Sequence, residues 1–319
     1  MKLSSDVREV LDGRRSHAVI GGRAERVLAR LPAAAVDLVL VDCPYSSGGQ
    51  FRGDRAKSTD TKYTRHDYRG QHADFEGDTR DAVGFLHWAG AIWLPECYRV
   101  LKPGASIVAT IDWRMLTTLE LALQAAGFTV RGLGTWDKGP ASRPRPGGFR
   151  MQGEYLLHAT RGAQTDRSVY LPGVFHYPTS KRDKFHQTGK PTRLFYDLAA
   201  LAPDGGLVID PFAGSGTSGA GTLLRGRALR FLGVELVDGY RELAAMRLDA
   251  LAPLVSRNAV GLGDGPFFWR EVEHVQNAVF DAWKRGHTDL AAAVEADEPD
   301  EVADAREPIL AHARRKAAA

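Results

Sequence analysis

The sequence predicts a doubly wound, mostly parallel α/β sheet, and three observations carry that prediction. Val36–Val41 is an unbroken run of β-forming residues of strand length, apolar enough to be covered on both faces. A second apolar run at 206–209 leads straight into Asp210-Pro211-Phe212-Ala213-Gly214-Ser215-Gly216-Thr217, a tight glycine turn in front of a helix-forming stretch. Between and around these runs, strand-like and helix-like segments alternate, which is the pattern of a layered α/β domain.

The elements come in order. His17–Gly21 reads as a short strand closed by Gly21-Gly22, and 24–31 as a helix halted by Pro32. After the strand at 36–41 comes a segment, 46–81, rich in Gly, Arg, Lys, Asp and Thr and poor in aliphatics. A loop of that length is more often functional than incidental. Phe85, Trp88, Ala89, Ile92, Trp93, Cys97 and Val100 recur with a helical period over 84–101. Lys102-Pro103-Gly104 breaks that helix, and 105–111 returns as a strand. A helix over 116–126 has Gly127 at its C-cap position. Within 130–190 the best strand is 154–159, set among Arg-, Pro- and Gly-rich stretches. Helix 192–201, strand 206–209, helix 218–224, strand 229–234 and helix 240–251 complete the alternation. Residues 267–284 are helical in pattern, and 291–307 is rich in Ala, Glu and Asp. The expected organisation is one α/β domain over 1–264 and a helical or partly disordered appendage over 265–319.

Composition narrows the class without choosing the function. At 319 residues the chain has room for one large domain with insertions or two small ones. Lys and Arg outnumber Asp and Glu by 42 to 39, a balance that permits a nucleic-acid partner without indicating one. The two cysteines, Cys43 and Cys97, form no CxxC pair, so neither a structural zinc site, nor any other metal site, nor a disulfide framework is expected. The first residues lack the apolar core of a signal peptide, and no stretch approaches the ~20 apolar residues of a membrane span. A cytoplasmic location is therefore the expectation.

Two constellations carry chemistry. In Asp210–Gly216 a strand end, a glycine turn and a helix start bring backbone amides to a polar ligand. Taken alone, a tight strand-to-helix turn is an equally good reading. Glu235 ends the next strand about 20 residues on, where dinucleotide-binding folds place an acidic partner for ribose hydroxyls. No Gly-Lys-Ser/Thr follows the glycines, which disfavours a Walker-type phosphate site. At the end of the strand 36–41 stands Asp42-Cys43-Pro44-Tyr45, offering a carboxylate, a turn with free carbonyls and an exposed ring. Such a set suits gripping a planar amine.

Together the two motifs resemble those of the beta group of amino-methylating DNA methyltransferases, in which the tetrad precedes the glycine loop. The resemblance covers most of 17–251. It implies a Rossmann-like S-adenosylmethionine-dependent methyltransferase fold, S-adenosylmethionine as cofactor, double-stranded DNA as partner, and a target base flipped out of the duplex. It implies that Asp42 and the Cys43 carbonyl accept the amine's N–H groups, that Pro44 shapes the turn, and that Tyr45 stacks on the base. It further implies that Asp210, Phe212, Ala213, Gly214 and Gly216 form the cofactor loop, the middle three on the methionine side. Glu235 would hold the ribose, and Thr188-Gly189-Lys190-Pro191 would cap the methionine carboxylate. The stretch 93–104 is similar to the family's helix-to-strand segment.

Two departures from the family pattern stand out. Gly22 replaces an aspartate that commonly contacts the adenosine, and Cys43 replaces the first proline of Asp-Pro-Pro-Tyr, freeing φ there. Covalent C5-cytosine chemistry is disfavoured because that family places Cys after Pro. Asp at the head of the tetrad points to adenine N6. Cytosine N4, a catalytically weak nucleic-acid-binding relative, and an RNA or protein-amide substrate are the alternatives. Basic residues cluster in two places: Arg52, Arg55 and Lys57 with Lys62, Arg65 and Arg69, then Arg143, Arg145, Arg150, Lys181, Arg182 and Lys184. Solvated loops explain them as well as phosphate contacts do, and 140–184 is the candidate target-recognition segment. The resemblance also carries a restriction–modification setting, and leaves a homodimer open.

Overall fold

The structure is a computed structural model, and it describes residues 3–46, 79–140, 142, 146–165, 168–178, 189–257 and 266–286. Helix α1 (Ser5–Leu11) opens it. Ser4 Oγ accepts from the Val7 amide at 3.5 Å, an N-cap for a helix that the apolar pattern does not announce. Strand β1 (His17–Gly21), helix α2 (Ala24–Leu28) and strand β2 (Val36–Val41) come next as expected, α2 ending short of Pro32.

The helical stretch after residue 81 is not one α-helix. Helix α3 (Ala82–Trp88) passes into a π-helical turn (Ala89–Trp93) before α4 (Leu94–Val100). Pro95, at the start of α4, has no N–H to give to a carbonyl one turn earlier, and the ladder widens just ahead of it. Residues five apart lie about 140° apart around an α-helix, whereas an i→i+5 turn brings them closer in angle. Trp88 and Trp93 accordingly meet, with ring centroids 5.8 Å apart.

Strand β3 (Leu101–Ile111) starts earlier than the sequence predicts. Lys102-Pro103-Gly104 is its bulged beginning rather than a gap: Val36 pairs with Leu101, then Leu38 with Ser106. Helix α5 (Leu116–Ala125), strands β4 (Thr129–Asp137), β5 (Gly153–Thr160) and β6 (Val174–His176), and helix α6 (Thr192–Leu198) come next. Strand β7 (Leu207–Asp210), helix α7 (Thr217–Leu224), strand β8 (Arg230–Glu235) and helices α8 (Asp238–Arg257) and α9 (Pro266–Lys284) complete the order.

All eight strands join one sheet in the order β1-β8-β7-β2-β3-β5-β4-β6. The pairs from β1 through to β3 are parallel, β5 runs antiparallel to both β3 and β4, and β6 runs parallel to β4. This is the mostly parallel α/β sheet expected. Alternation along β2 feeds both faces: Leu38 and Leu40 join a core with α6, α7, α8 and α9, while Val39 and Val41 join one with α1 to α5. Helix α9, the first part of the segment 265–319, buries Val272, Val275, Val279 and Ala282 in the first of these cores. Among the described residues no helix is long and apolar enough to cross a membrane.

One polar contact fixes the centre of the sheet. Asp37 lies inside β2 at 8% exposure, its Oδ1 accepting from Lys102 Nζ at 2.7 Å and its Oδ2 from the Leu207 amide at 2.9 Å. Gly206 makes room for it, since a Cβ there would stand 3.3 Å from the Asp37 Cβ. The carboxylate therefore ties the first amide of β7 to β2, where the two strands share the register Leu38 with Val208 and Val39 with Ile209. Asp37→Ala is expected to cost about 1–3 kcal/mol, the penalty of a buried amide left without its acceptor. Lys102→Ala removes a side chain that is itself half exposed, and is expected to cost under about 1 kcal/mol. Urea unfolding midpoints check both, and a larger loss in Lys102→Ala would contradict the assignment.

Candidate active site

Sheet direction gathers the candidate residues on one edge. β2, β3, β4 and β7 all end there, and antiparallel β5 begins there, with Tyr155 paired to Ile111 and Gly153 to Asp137. Asp42 leaves β2, Thr110 belongs to the end of β3, Lys138 comes directly after β4, Glu154 lies at the start of β5, and the glycine loop leaves β7. Ligand sites of open α/β sheets lie at such carboxyl ends.

At the tetrad, Asp42 Oδ1 accepts from Thr110 Oγ1 at 2.5 Å and Oδ2 from Lys190 Nζ at 2.9 Å. Lys190 is only 4% exposed and bridges to a second carboxylate, Glu154 Oε2, at 3.3 Å. Tyr45 donates its hydroxyl to the same Glu154 oxygen at 3.0 Å, and Lys138 Nζ donates to the other at 3.1 Å. The Lys190 ammonium also stands 4.8 Å from the centre of the Tyr45 ring, within cation–π range. Two carboxylates and two ammonium groups thus share one half-buried cluster.

Each ionisation is a consequence of this packing. Burial disfavours the charged form of Glu154, but Lys190 and Lys138 outweigh it and hold the carboxyl below its ordinary range. Burial likewise works against the Lys190 ammonium, and Asp42 and Glu154 more than reverse it, raising its pKa. Burial, then the Asp42 carboxylate, pushes the Cys43 thiol far above an ordinary thiol, so it stays a protonated core group 2% exposed. That excludes it as a nucleophile at neutral pH. Burial with Asp42 and Glu154 beside it keeps Tyr45 a neutral phenol. Its ring is partly buried beneath Lys190 rather than freely exposed.

The glycine loop is built by the turn itself. Asp210 Oδ1 accepts from the Phe212 amide at 2.9 Å and Oδ2 from Ser218 Oγ at 2.5 Å, tying the strand end to the first turn of α7. Gly216, the N-cap of α7, has φ 78°, a left-handed conformation that a side chain would resist. At Gly214 a Cβ would meet nothing within 4 Å, so the backbone there faces open space. Glu235, ending β8, accepts from the Gly214 amide at 2.8 Å and the Val237 amide at 2.8 Å. Phe212 packs on Trp88 and Trp93 at 5.4 and 5.2 Å, closing one side of the loop with an aromatic wall. A glycine loop open to space at Gly214, an acidic neighbour and an apolar wall are what a small adenosine-bearing ligand needs.

The structure brings together Asp42, Cys43, Pro44, Tyr45, Asp210, Phe212, Ala213, Gly214, Gly216, Glu235 and Lys190. Lys190 lies against the tetrad, which the sequence does not indicate. Thr188, Arg52, Arg55, Lys57, Arg143, Arg145, Lys181 and Arg182 lie outside the described residues. Arg150 is described and exposed, and its Nη1 donates to the carbonyls of Pro140 and Ser142. Sequence reasoning missed Thr110, Lys138 and Glu154. A single polar residue at the end of an apolar strand is the only signal the first and last of these give.

The comparisons with known proteins agree with this geometry. A family model described as DNA methylase matches residues 36–246. YubD of Escherichia coli (strain K12), named as a methylase, is 31% identical over 245 residues, covering 75% of this chain and 93% of YubD. The DNA adenine methyltransferase YhdJ of the same organism is 26% identical over 273 residues, covering 74% and 84%. A solved structure from Thermus thermophilus, described as a DNA modification methylase complexed with S-adenosyl-L-methionine, superposes with a TM-score of 0.54 at 22% identity, covering 74% of this chain and 95% of that one. The cytosine-N4-specific PvuII DNA methyltransferase gives 0.52 at 15% identity, covering 84% and 93%. At these identities the two structures speak for the fold alone.

Burial, partly offset by Ser218 and the Phe212 amide, pushes Asp210 up to about 7 from an ordinary value of 3.8. An acid whose folded pKa is raised binds its proton more tightly in the folded state. Its contribution is therefore full below about pH 4 and is lost as pH climbs to about 7. The stability gap between wild type and Asp210→Asn is expected to move in favour of the variant across that window. Urea unfolding at stepped pH measures it, and a gap that stays constant would contradict the assignment.

Proposed function

Because the chain belongs to the N6/N4 DNA methylase family, we propose that it is an S-adenosylmethionine-dependent DNA methyltransferase acting on the N6 amine of adenine in double-stranded DNA. The observation that carries the reading is the Asp42 carboxylate, held by Thr110 and Lys190 at the end of β2, beside the glycine loop that leaves the neighbouring strand β7. Cytosine N4 is the second reading, because the family takes in both N6 and N4 methylases. Adenine is preferred because Asp heads the tetrad and because YhdJ is named an adenine methyltransferase.

S-adenosylmethionine, when bound, supplies an electrophilic methyl group. The glycine loop 212–216, whose backbone faces open space at Gly214, and the Glu235 carboxylate are the groups that would hold it, with Phe212 on its apolar side. The protein's own task lies at the base. An exocyclic amine is a poor nucleophile because its lone pair is delocalised into the ring. Asp42 accepts one N–H and the Cys43 carbonyl the other, which concentrates electron density on nitrogen and strengthens as it turns cationic. Asp42 then holds the surplus proton. Its Oδ2 is the acceptor that Lys190 occupies. An incoming amine displaces that ammonium toward Glu154, which already lies 3.3 Å from it. The Tyr45 face exposed by that shift is where the flipped base stacks, worth about 1–3 kcal/mol.

The enzyme is proposed to work in the cytoplasm, with residues 140–184 contributing target recognition. Arg52, Arg55, Lys57, Arg143, Arg145, Lys181 and Arg182 are the proposed phosphate contacts.

The test is to incubate the protein with S-adenosylmethionine and unmethylated DNA, digest the DNA to nucleosides and identify the product by mass. N6-methyladenine is expected. N4-methylcytosine would overturn the base assignment and leave the methyltransferase, and unmodified DNA would overturn the activity. Asp42→Ala is expected to lower kcat by about 10²–10⁴-fold with S-adenosylmethionine affinity nearly unchanged. Glu235→Ala should instead weaken cofactor binding roughly tenfold. The opposite split between these two variants would reverse their roles.

A further inference from the structure

The most deeply buried charge among the described residues is away from the tetrad. Arg247, in α8, has no exposed surface, and its guanidinium reaches three separate parts of the chain. Nη1 donates to the Ser215 carbonyl at 3.1 Å and to Thr217 Oγ1 at 3.0 Å, within the glycine loop and the first turn of α7. Nη2 donates to Thr192 Oγ1 at 2.8 Å, two residues after Lys190. Nε donates to Gln276 Oε1 in α9 at 2.9 Å, and Nη2 meets the same oxygen. Thr192 Oγ1 in turn donates to Gln276 Oε1 at 3.1 Å.

The geometry points to Arg247 and Gln276 as positioning residues for cofactor binding, with α9 serving as the brace that holds the glycine loop in its binding shape. The inference rests on the cofactor assignment of the proposed function. The peptide between Ser215 and Gly216 is pinned at both ends: its carbonyl accepts from Arg247, and its N–H donates to the Ala213 carbonyl at 2.8 Å. That peptide leads into the left-handed Gly216, a conformation that depends on its surroundings to persist. Arg247 can hold the peptide only if it is itself held. Gln276 does so from an element far along the chain, its single oxygen taking three donors. Through Thr192 the same hub also reaches the start of α6. The loop that would hold the cofactor is thus set by one buried guanidinium.

Gln276→Leu keeps the apolar packing of α9 and removes the acceptor, whereas Gln276→Glu keeps the acceptor and suits three donors at least as well. Calorimetric titration with S-adenosylmethionine, methylation kinetics and urea unfolding are measured on the full chain for both. Gln276→Leu is expected to weaken S-adenosylmethionine affinity about tenfold with kcat at saturating cofactor within about twofold. Gln276→Glu is expected to bind within about twofold of wild type. Thr192→Val, which deletes only a hydroxyl of the hub, is expected to lose about threefold and serves if Gln276→Leu does not fold. Wild-type affinity in Gln276→Leu, whatever its loss of stability, would overturn the proposal, as would equal losses in the Leu and Glu variants. Failure of wild type itself to bind S-adenosylmethionine would overturn the cofactor assignment together with this inference, and is told apart because it appears without any substitution.

Discussion

The pairing of β2 with β7, anchored by Asp37, is the contact on which the rest of the site depends. The two strands share a register over Leu38 with Val208 and Val39 with Ile209. Asp37 extends that register by one side chain, reaching the Leu207 amide and neutralised by Lys102. Each strand delivers chemistry at its carboxyl end: β2 leads into the tetrad and β7 into the glycine loop. A slip of one residue would exchange the two faces of β2 between the two cores and displace Asp42 against Asp210. A buried charge is normally a cost, and here its hydrogen bond to a backbone amide gives it a registering role.

The second organising feature is charge balance at the edge of the sheet. Asp42 and Glu154 are carboxylates with little water, and Lys190 and Lys138 answer them. Burial alone would disfavour the charged forms of Lys190 and Glu154, and the opposite charges beside each of them reverse that. Because Lys190 touches both acids, it can leave one without leaving its charge unpaired. In the proposed reaction that arrangement would let Asp42 take a new donor at a modest cost. A fixed one-to-one ion pair would have to be broken outright.

How much of this was legible in the sequence depends on how local each signal is. Asp42, Glu235 and the turn 210–217 were legible because strand end, turn and helix start are consecutive in the chain. Thr110, Lys138 and Glu154 were not, because they reach Asp42 only when β3, β4 and β5 return to the same edge. Lys190 was legible as a member of a motif, but nothing local shows that it lies over Tyr45. The π-helical turn was hidden by an apolar pattern that fits an ordinary helix, and only Pro95 hinted at it. Arg247 and Gln276 are ordinary polar residues on helical patterns, and their meeting is entirely tertiary.

If the edge where β2 and β7 end is a single site, cofactor and tetrad must be in contact there. A crystal structure of the protein soaked with S-adenosylhomocysteine, the product form of the proposed cofactor, tests this most directly. Density is expected against residues 212–216 and the Glu235 carboxylate, with the sulfur end turned toward Asp42. Ordered ligand elsewhere in the molecule, or ligand at the loop with its sulfur turned away from Asp42, would contradict it.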